Sequence, residues 1–267
     1  MCLVVIAYRV HPEYPLIIVS NRDEFFERPT ESLHLWNSRP EILAGKDLKA
    51  GGTWLGVSSL GKVAFLTNVR NLRKPPHPHP KSRGNLVLDF LKSSKEMSSD
   101  LYREEVLKTA HEFDGFNLFV FDGREANYVG GDPLQVLRLE PGFHSVSNAS
   151  WNTVWPKTAK LKSGVEQVFG SFPGDKNWQK EATTEFFRLL SDSELVKEDS
   201  LLPDTGIGLE REKYLSSVRI RVPGYGTRAS TVLFYGREEV EVIERTFSDP
   251  LSNEYSERRE VLKFNES

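Results

Sequence analysis

Cys2 is the residue of this chain with the clearest capacity for chemistry. It follows Met1 directly, and its small side chain suits methionine aminopeptidase, which would leave the thiol beside a free α-amine. Such an amine has an ordinary pKa of about 7.7–8.0 and could accept the thiol proton without a histidine. Two interpretations therefore stand side by side: a self-contained cysteine nucleophile, or a small hydrophobe that begins a strand.

The run Asn21-Arg22-Asp23-Glu24 is a second candidate site. It follows the apolar segment that is expected to pair with the strand starting at Cys2. A guanidinium and a carboxylate there could hold the terminal amine and lower the pKa of the thiol. Neighbouring residues of a strand face opposite sides, so Arg22 and Asp23 cannot both face Cys2 unless the chain turns. The alternative is a polar strand exit stabilised by an Arg–Asp pair.

Three further polar residues stand at the ends of predicted strands. Asn68 and Asn148 each follow an apolar segment, and Arg228 precedes one. A side-chain amide at such a position could donate to a developing oxyanion, which contributes roughly 2.7–4 kcal/mol per donor. An Asx turn is the alternative for each asparagine, and a solvated guanidinium is the alternative for Arg228.

The elements that must position these residues read as a mixture of antiparallel strands and blocks of helix. Apolar and β-branched runs predict strands at residues 2–8, 16–20, 53–57, 62–68, 116–121, 126–129, 135–139, 143–146, 219–222, 231–235 and 240–245. Partial 3.6-residue periodicity predicts helices at 84–91, 100–111, 158–169 and 178–190, and the polar segment 191–208 is expected to be a loop. This order indicates an α+β fold with antiparallel sheets.

Composition limits the classes of function. The 267 residues are 38% hydrophobic and 27% charged, with 35 Lys and Arg against 38 Asp and Glu. This balance excludes a disordered chain and does not favour a nucleic-acid partner. The single cysteine excludes an internal disulfide and a cysteine-based zinc site, so no metal site is expected. No apolar run approaches the roughly 18 residues of a membrane span, and we expect one soluble, intracellular domain over residues 1–267.

Taken in order, the motifs resemble those of the NRDE family. The motifs that carry the resemblance are Met1-Cys2, Asn21-Arg22-Asp23-Glu24-Phe25, Arg28-Pro29, Gly51-Gly52-Thr53-Trp54, Ala64-Phe65-Leu66-Thr67-Asn68, Arg83-Gly84, Ser147-Asn148-Ala149 and Pro223-Gly224-Tyr225-Gly226-Thr227-Arg228. The resemblance covers almost the whole chain. It implies a four-layer αββα fold like that of the N-terminal nucleophile hydrolases, in which two stacked antiparallel sheets lie between helix layers.

The resemblance also implies roles for individual residues. Cys2 takes the place of the N-terminal nucleophile, and Arg22 and Asp23 take the places of the arginine and aspartate after the second strand. Asn68 and Asn148 become oxyanion and substrate-positioning amides, and Arg228 becomes the second arginine. The implied ligand-binding residues are Asn21, Trp54, Arg70 and Tyr225. One departure stands out, because the hydrolases separate the arginine and aspartate that are adjacent here.

What the resemblance implies for function is a carrier or chaperone on a hydrolase-like scaffold. Its ligand would be a small molecule, either a heme or an acylated compound, and its roles would be heme trafficking, lipid and acyl-CoA homeostasis, and Golgi organisation and secretion. Heme is expected as cargo and no other cofactor is expected. The alternatives are a cysteine amidase or acyltransferase that uses Cys2, and a trafficking scaffold without a ligand site. The expected location is cytoplasmic, with peripheral association with mitochondria or Golgi.

Overall fold

The computed structural model describes residues 2–75, 77–78, 80–171 and 177–265. Two seven-stranded antiparallel sheets form its centre. The first sheet contains β1 (Cys2–Tyr8), β2 (Leu16–Phe25), β10 (Gly142–Val146), β11 (Arg221–Val222), β12 (Tyr225–Tyr235), β13 (Glu239–Thr246) and β14 (Ser256–Lys263). The second contains β3 (Thr30–Trp36), β4 (Ile42–Asp47), β5 (Leu55–Ser58), β6 (Val63–Asn68), β7 (Phe116–Phe121), β8 (Ala126–Gly130) and β9 (Gln135–Arg138).

Five α-helices cover the outer faces and connections of these sheets. They are α1 (Gly84–Lys92), α2 (Ser99–Thr109), α3 (Pro156–Ser171), α4 (Trp178–Leu190) and α5 (Leu209–Tyr214). Short 3₁₀ turns occur at Ala110–Glu112 and Asp199–Leu201. None of the described helices is both long enough and apolar enough to cross a membrane.

The strand order in the first sheet is β10-β1-β2-β12-β13-β14, with β11 paired to β12. Strand β1 is buried on both faces, as its continuous apolar sequence predicts. Val4 and Ile6 face the second sheet, whereas Leu3 and Val5 pack against α3 and α4. Strands β1 and β2 therefore lie at the centre of the molecule, and both faces of β1 carry core residues.

The second sheet has the order β3-β4-β5-β6-β7-β8-β9. One face packs on the first sheet through residues such as Phe65 and Phe119. Its other face packs on α1 and α2 through Ala64, Leu118 and Phe90. The layers are therefore helix, sheet, sheet, helix, which confirms the predicted four-layer αββα fold.

The structure corrects several predicted boundaries. Strand β2 continues to Phe25 instead of ending at Ser20, so the Asn21–Glu24 run lies inside a strand. Strands β3, β4 and β14 were not predicted. β3 and β14 are rich in charged or half-exposed residues, as edge strands commonly are, whereas β4 is a short strand buried over its first four residues. The segment expected to be a loop from residue 191 to 208 contains a 3₁₀ turn and is followed by α5.

Candidate functional site

Cys2 lies at the start of β1, at the centre of the first sheet. Its side chain faces the second sheet and is 8% exposed. Its direct partner across the β1–β2 pairing is Arg22, so the two side chains lie on the same face of the sheet. Burial raises the pKa of the Cys2 thiol above its ordinary value. Met1, whose removal would free the α-amine of Cys2, lies outside the described residues.

Arg22 is stacked on an aromatic ring. Its guanidinium carbon lies 4.0 Å from the ring centroid of Trp54, which stands just before β5. Trp54 in turn packs against Gly45 of β4, where an added Cβ would lie 2.4 Å from the Trp54 ring. Only glycine leaves room for the ring at this position, so the Gly45 backbone helps to hold Trp54 against Arg22.

Cys2, Arg22 and Trp54 line a cleft of about 510 Å³. Asn68, at the end of β6, also lines this cleft. The cleft is bounded by the loop before Trp54 and by the start of α1. These two segments meet at Gly52 and Gly84, where a Cβ added to Gly52 would lie 2.8 Å from the Gly84 backbone. The structure therefore brings three distant sequence motifs together around Cys2.

Charged residues are frequent in this cleft. They account for nine of its nineteen lining residues: Arg22, Asp23, Glu24, Arg28, Asp47, Lys49, Lys81, Arg83 and Asp114. Three of them are paired with one another, since Arg28 forms ion pairs with Asp47 at 2.7 Å and with Glu24 at 3.9 Å. Arg83 donates to the carbonyl of Gly115 at 3.0 Å.

Asn21 and Asp23 alternate with Arg22 along β2, so their side chains face the helix layer. The Asn21 amide donates to the carbonyls of Leu190 and Val218, both at 2.9 Å. Asn21 therefore links β2 to the end of α4 instead of presenting its amide to the cleft. Asp23 is completely buried and accepts a hydrogen bond from Thr227 Oγ1 at 2.7 Å. Burial raises the pKa of its carboxyl group.

Lys157, in the first turn of α3, is a residue that the sequence analysis missed. It is 3% exposed, and its Nζ has no hydrogen-bond partner within the described part of the chain. Burial lowers its pKa to about 8, and the charges of Asp23 and Cys2 oppose this shift. A lysine at a helix N-terminus meets an unfavourable dipole. A lysine directly after Trp155-Pro156, just before a predicted helix, was the sequence feature that could have marked Lys157 as unusual.

Arg70 and Tyr225, predicted to bind a ligand, lie beside this buried charged region. Arg70 Nη2 forms a buried ion pair with Glu212 of α5 at 2.6 Å, and Arg70 Nε donates to Thr205 Oγ1 at 3.0 Å. The Tyr225 hydroxyl is buried and makes no hydrogen bond to any described residue. The Arg70–Glu212 pair was not foreseen, because Glu212 is 142 residues away in the chain.

The predicted amides and the second arginine occupy different places. Asn148 is fully buried and donates from Nδ2 to the Asn68 carbonyl at 2.9 Å, so it positions Asn68 beside the cleft. Arg228 lies at an irregularity of β12 and donates to the carbonyls of Phe25, at 3.3 Å, and Arg28. Arg228 is thus engaged with the turn after β2, and it is not among the described residues that line the cleft.

Among the described residues, no group of three or more His, Cys, Asp or Glu side chains could hold a metal ion.

Comparison with known proteins supplies the family. The model of the family described as "Transport and Golgi organisation 2" matches residues 1–249. The chain belongs to this family. It is 34% identical over 275 residues to the transport and Golgi organization protein 2 homolog of Bos taurus, covering 94% of this chain and 95% of the relative. The Homo sapiens homolog is 32% identical over 271 residues, covering 93% and 94%. The predicted NRDE family membership is thereby confirmed.

Two solved structures are similar to this member of the transport and Golgi organisation 2 family. One is a Caenorhabditis elegans N-acylethanolamine-hydrolyzing acid amidase ortholog, with 12% identity, a TM-score of 0.46 and coverage of 88% of this chain and 97% of that chain. The other is the C2A mutant of conjugated bile acid hydrolase from Clostridium perfringens, with 10% identity, a TM-score of 0.42 and coverage of 100% and 99%.

Proposed function

We propose that this protein is a carrier or chaperone that holds a small molecule in the cleft between its two sheets, with Cys2 at the inner end. The observation that carries the proposal is the meeting of the Cys2 thiol, the Arg22 guanidinium and the Trp54 ring in one cleft of about 510 Å³. Ligand sites of proteins commonly enclose about 300–1,000 Å³. A site of this size suits a metabolite-sized ligand.

The state of the thiol favours binding over catalysis. Burial raises the pKa of Cys2, so the thiol is protonated at neutral pH, whereas the thiolate is the nucleophilic form. No histidine is found among the described residues that line the cleft. If Met1 is retained, Cys2 has no free α-amine, and no histidine among the described residues that line the cleft can accept the thiol proton. The site would then hold a ligand without cleaving it.

An acylated compound fits this cleft better than a heme. A porphyrin presents two broad apolar faces, whereas an acyl chain is narrow and needs less apolar surface around it; nine of the nineteen residues that line the cleft are charged. Heme remains the second cargo in this proposal, because a sulfur could bind the iron and a guanidinium could bind a propionate. The role proposed for the cargo is lipid and acyl-CoA homeostasis, with heme trafficking as the alternative.

The relatives' names associate them with transport and Golgi organisation. We extend that association to this chain and propose a cytoplasmic carrier that meets mitochondrial or Golgi membranes peripherally, without a nucleic-acid partner. Cell fractionation of the tagged full-length protein tests the location. Recovery only in a secreted fraction would contradict it.

The experiment that tests the carrier function is ligand retention by the protein isolated from its own cells. Native mass spectrometry should show a noncovalent small molecule at close to one per chain, and Cys2→Ala should retain an acylated ligand. A hemin complex would instead change its Soret band in Cys2→Ala. A protein that retains no small molecule and binds neither hemin nor octanoate would point to the trafficking scaffold.

A cysteine amidase is the second candidate, and the position of Asn68 favours it. If Met1 is removed, Cys2 Sγ attacks the amide carbon while its proton passes to the α-amine of Cys2. The Asn68 amide, which lines the same cleft, can stabilise the oxyanion. The C–N bond then breaks, the leaving amine takes the proton, and water hydrolyses the thioester.

Intact mass and turnover test this second candidate. Loss of Met1 together with release of octanoate from N-octanoylglycine, abolished in Cys2→Ala, would replace the carrier function. Retained Met1 or undiminished turnover in Cys2→Ala would eliminate the Cys2 amidase.

A further inference from the structure

Arg22 is a buried cation that stacks on a ring and has no acceptor among the described residues. It is 6% exposed and stacks on Trp54 at 4.0 Å. No residue in the ranges 2–75, 77–78, 80–171 and 177–265 forms a hydrogen bond or an ion pair with its side chain. Burying a charge is unfavourable unless it is paired. The free edge of the guanidinium therefore has a place for an acceptor that comes from outside the chain.

The carboxylates close to Arg22 are already engaged elsewhere. Glu244, buried between the sheets, accepts from the Leu33 backbone N–H at 2.7 Å. Asp47 pairs with Arg28 at 2.7 Å. Glu24 accepts from the Phe25 N–H at 2.9 Å. Each of these three carboxylates lies beyond ion-pair distance of the Arg22 side chain, so none of them neutralises its charge directly.

We propose that Arg22 and Trp54 form a subsite for a carboxylate of the ligand, with that carboxylate held beside the Cys2 thiol. The proposal rests on the proposed function, because it requires that the cleft receive a small molecule. Cys2 and Arg22 are direct partners across two strands. The acid end of the ligand is thus placed beside Cys2, and Leu66, which also lines the cleft, offers an apolar contact for its acyl portion.

Charge favours a carboxylate over a phosphate as the acceptor. Trp54 covers one face of the guanidinium and leaves its edge for a bidentate pair, which either acid could form. Five cationic and four anionic side chains line the cleft, which is an excess of one positive charge. A carboxylate balances that excess, whereas a phosphate dianion would exceed it.

The test compares three probes of equal chain length on the full-length protein by isothermal titration calorimetry. We expect octanoate to bind about tenfold or more tightly than octanamide, because one charge-assisted hydrogen bond contributes about that factor. We also expect octanoate to bind more tightly than octyl phosphate. Arg22→Gln should remove the preference for octanoate over octanamide. Arg22→Lys keeps the charge and should retain part of the preference for octanoate. This variant tests the subsite if Arg22→Gln does not fold.

Arg245→Gln is the matched control. Arg245 also stacks at 4.0 Å on an aromatic ring, that of Phe187, but it already has a carboxylate partner in Glu257 at 2.7 Å. The preference for octanoate should persist in this variant.

Each contrary outcome has a separate meaning. Equal affinity for octanoate and octanamide would overturn the carboxylate subsite and leave the carrier function standing. Tighter binding of octyl phosphate, or an undiminished preference in a folded Arg22→Gln, would also overturn the subsite alone. Absence of binding by all three probes would contradict both the subsite and an acyl carrier.

Discussion

Replacing Lys157 with methionine should make the protein more stable at neutral pH. Lys157 is almost completely buried, and its Nζ has no hydrogen-bond partner among the described residues. A protonated ammonium in such a place loses its hydration without a compensating contact. Methionine has a similar length and carries no charge, so it removes this cost while filling most of the same volume.

The size of the effect follows from the pKa of Lys157, which burial lowers from 10.5 to about 8. Each pKa unit corresponds to 1.36 kcal/mol, so the protonated lysine costs about 3 kcal/mol of folding free energy. This shift already includes the attraction of Lys157 to Asp23. Because the methionine side chain does not reproduce every packing contact of the lysine, the net gain at pH 7 should be between about 1 and about 3 kcal/mol.

The sign of the pH dependence is also determined. The folded pKa lies below the unfolded one, so the unfolded chain binds more protons between about pH 8 and pH 10.5. The free energy of unfolding of the wild type should therefore rise with pH through that window because of this lysine. The cost is fully present below about pH 8, and the advantage of Lys157→Met should shrink as the pH approaches 10.5.

Urea unfolding followed by circular dichroism at pH 7 and pH 10 measures both quantities. Lys160→Met is the matched control, since Lys160 lies on the same helix but is exposed and pairs with Asp192 at 2.5 Å. The reasoning is refuted if Lys157→Met has the same advantage at both pH values, or if Lys160→Met reproduces its pH dependence.

Three further perturbations test the arrangement around the cleft. Gly45→Ala should displace the Trp54 ring, because the new Cβ would lie 2.4 Å from it. Tryptophan fluorescence should then change and octanoate binding should weaken. An unchanged fluorescence spectrum would contradict the contact between Gly45 and Trp54. Arg70→Met should destabilise the fold by about 3–5 kcal/mol, since it leaves Glu212 buried and unpaired; adding a Glu212→Gln change should recover part of this loss in urea unfolding. At pH 7.5 iodoacetamide should alkylate Cys2 more slowly in the folded protein than in urea, because burial raises the thiol pKa. Equal alkylation rates in the two states would contradict a raised thiol pKa in the folded protein.

Sequence patterns were sufficient for the central strands and the fold class. The continuous apolar run at residues 2–8 and the next one from residue 16 can be buried only by pairing inside a sheet. Edge strands such as β14 escaped prediction, because their charged side chains lack that signal.

The roles of neighbouring residues in β2 depended on how far the strand extends. Strict alternation predicted that Arg22 and Asp23 would face opposite sides, and the structure places Arg22 toward the second sheet and Asp23 toward the helices. The sequence could not say which ring would meet Arg22. Trp54 stands 32 positions further along the chain, just before a strand of the other sheet.

The sequence by itself determined that Cys2 begins a buried strand, that the Arg22 segment follows the strand paired with it, and that the fold is α+β with antiparallel strands, because these features follow from local hydrophobic patterns. The two stacked sheets were implied by the family resemblance. Only the tertiary structure decided that Arg22 would lack an acceptor among the described residues, that Lys157 would be buried near Asp23, and that Arg228 would turn away from the cleft. The physical reason is that burial and charge pairing depend on contacts between residues far apart in the chain, and local patterns do not encode them.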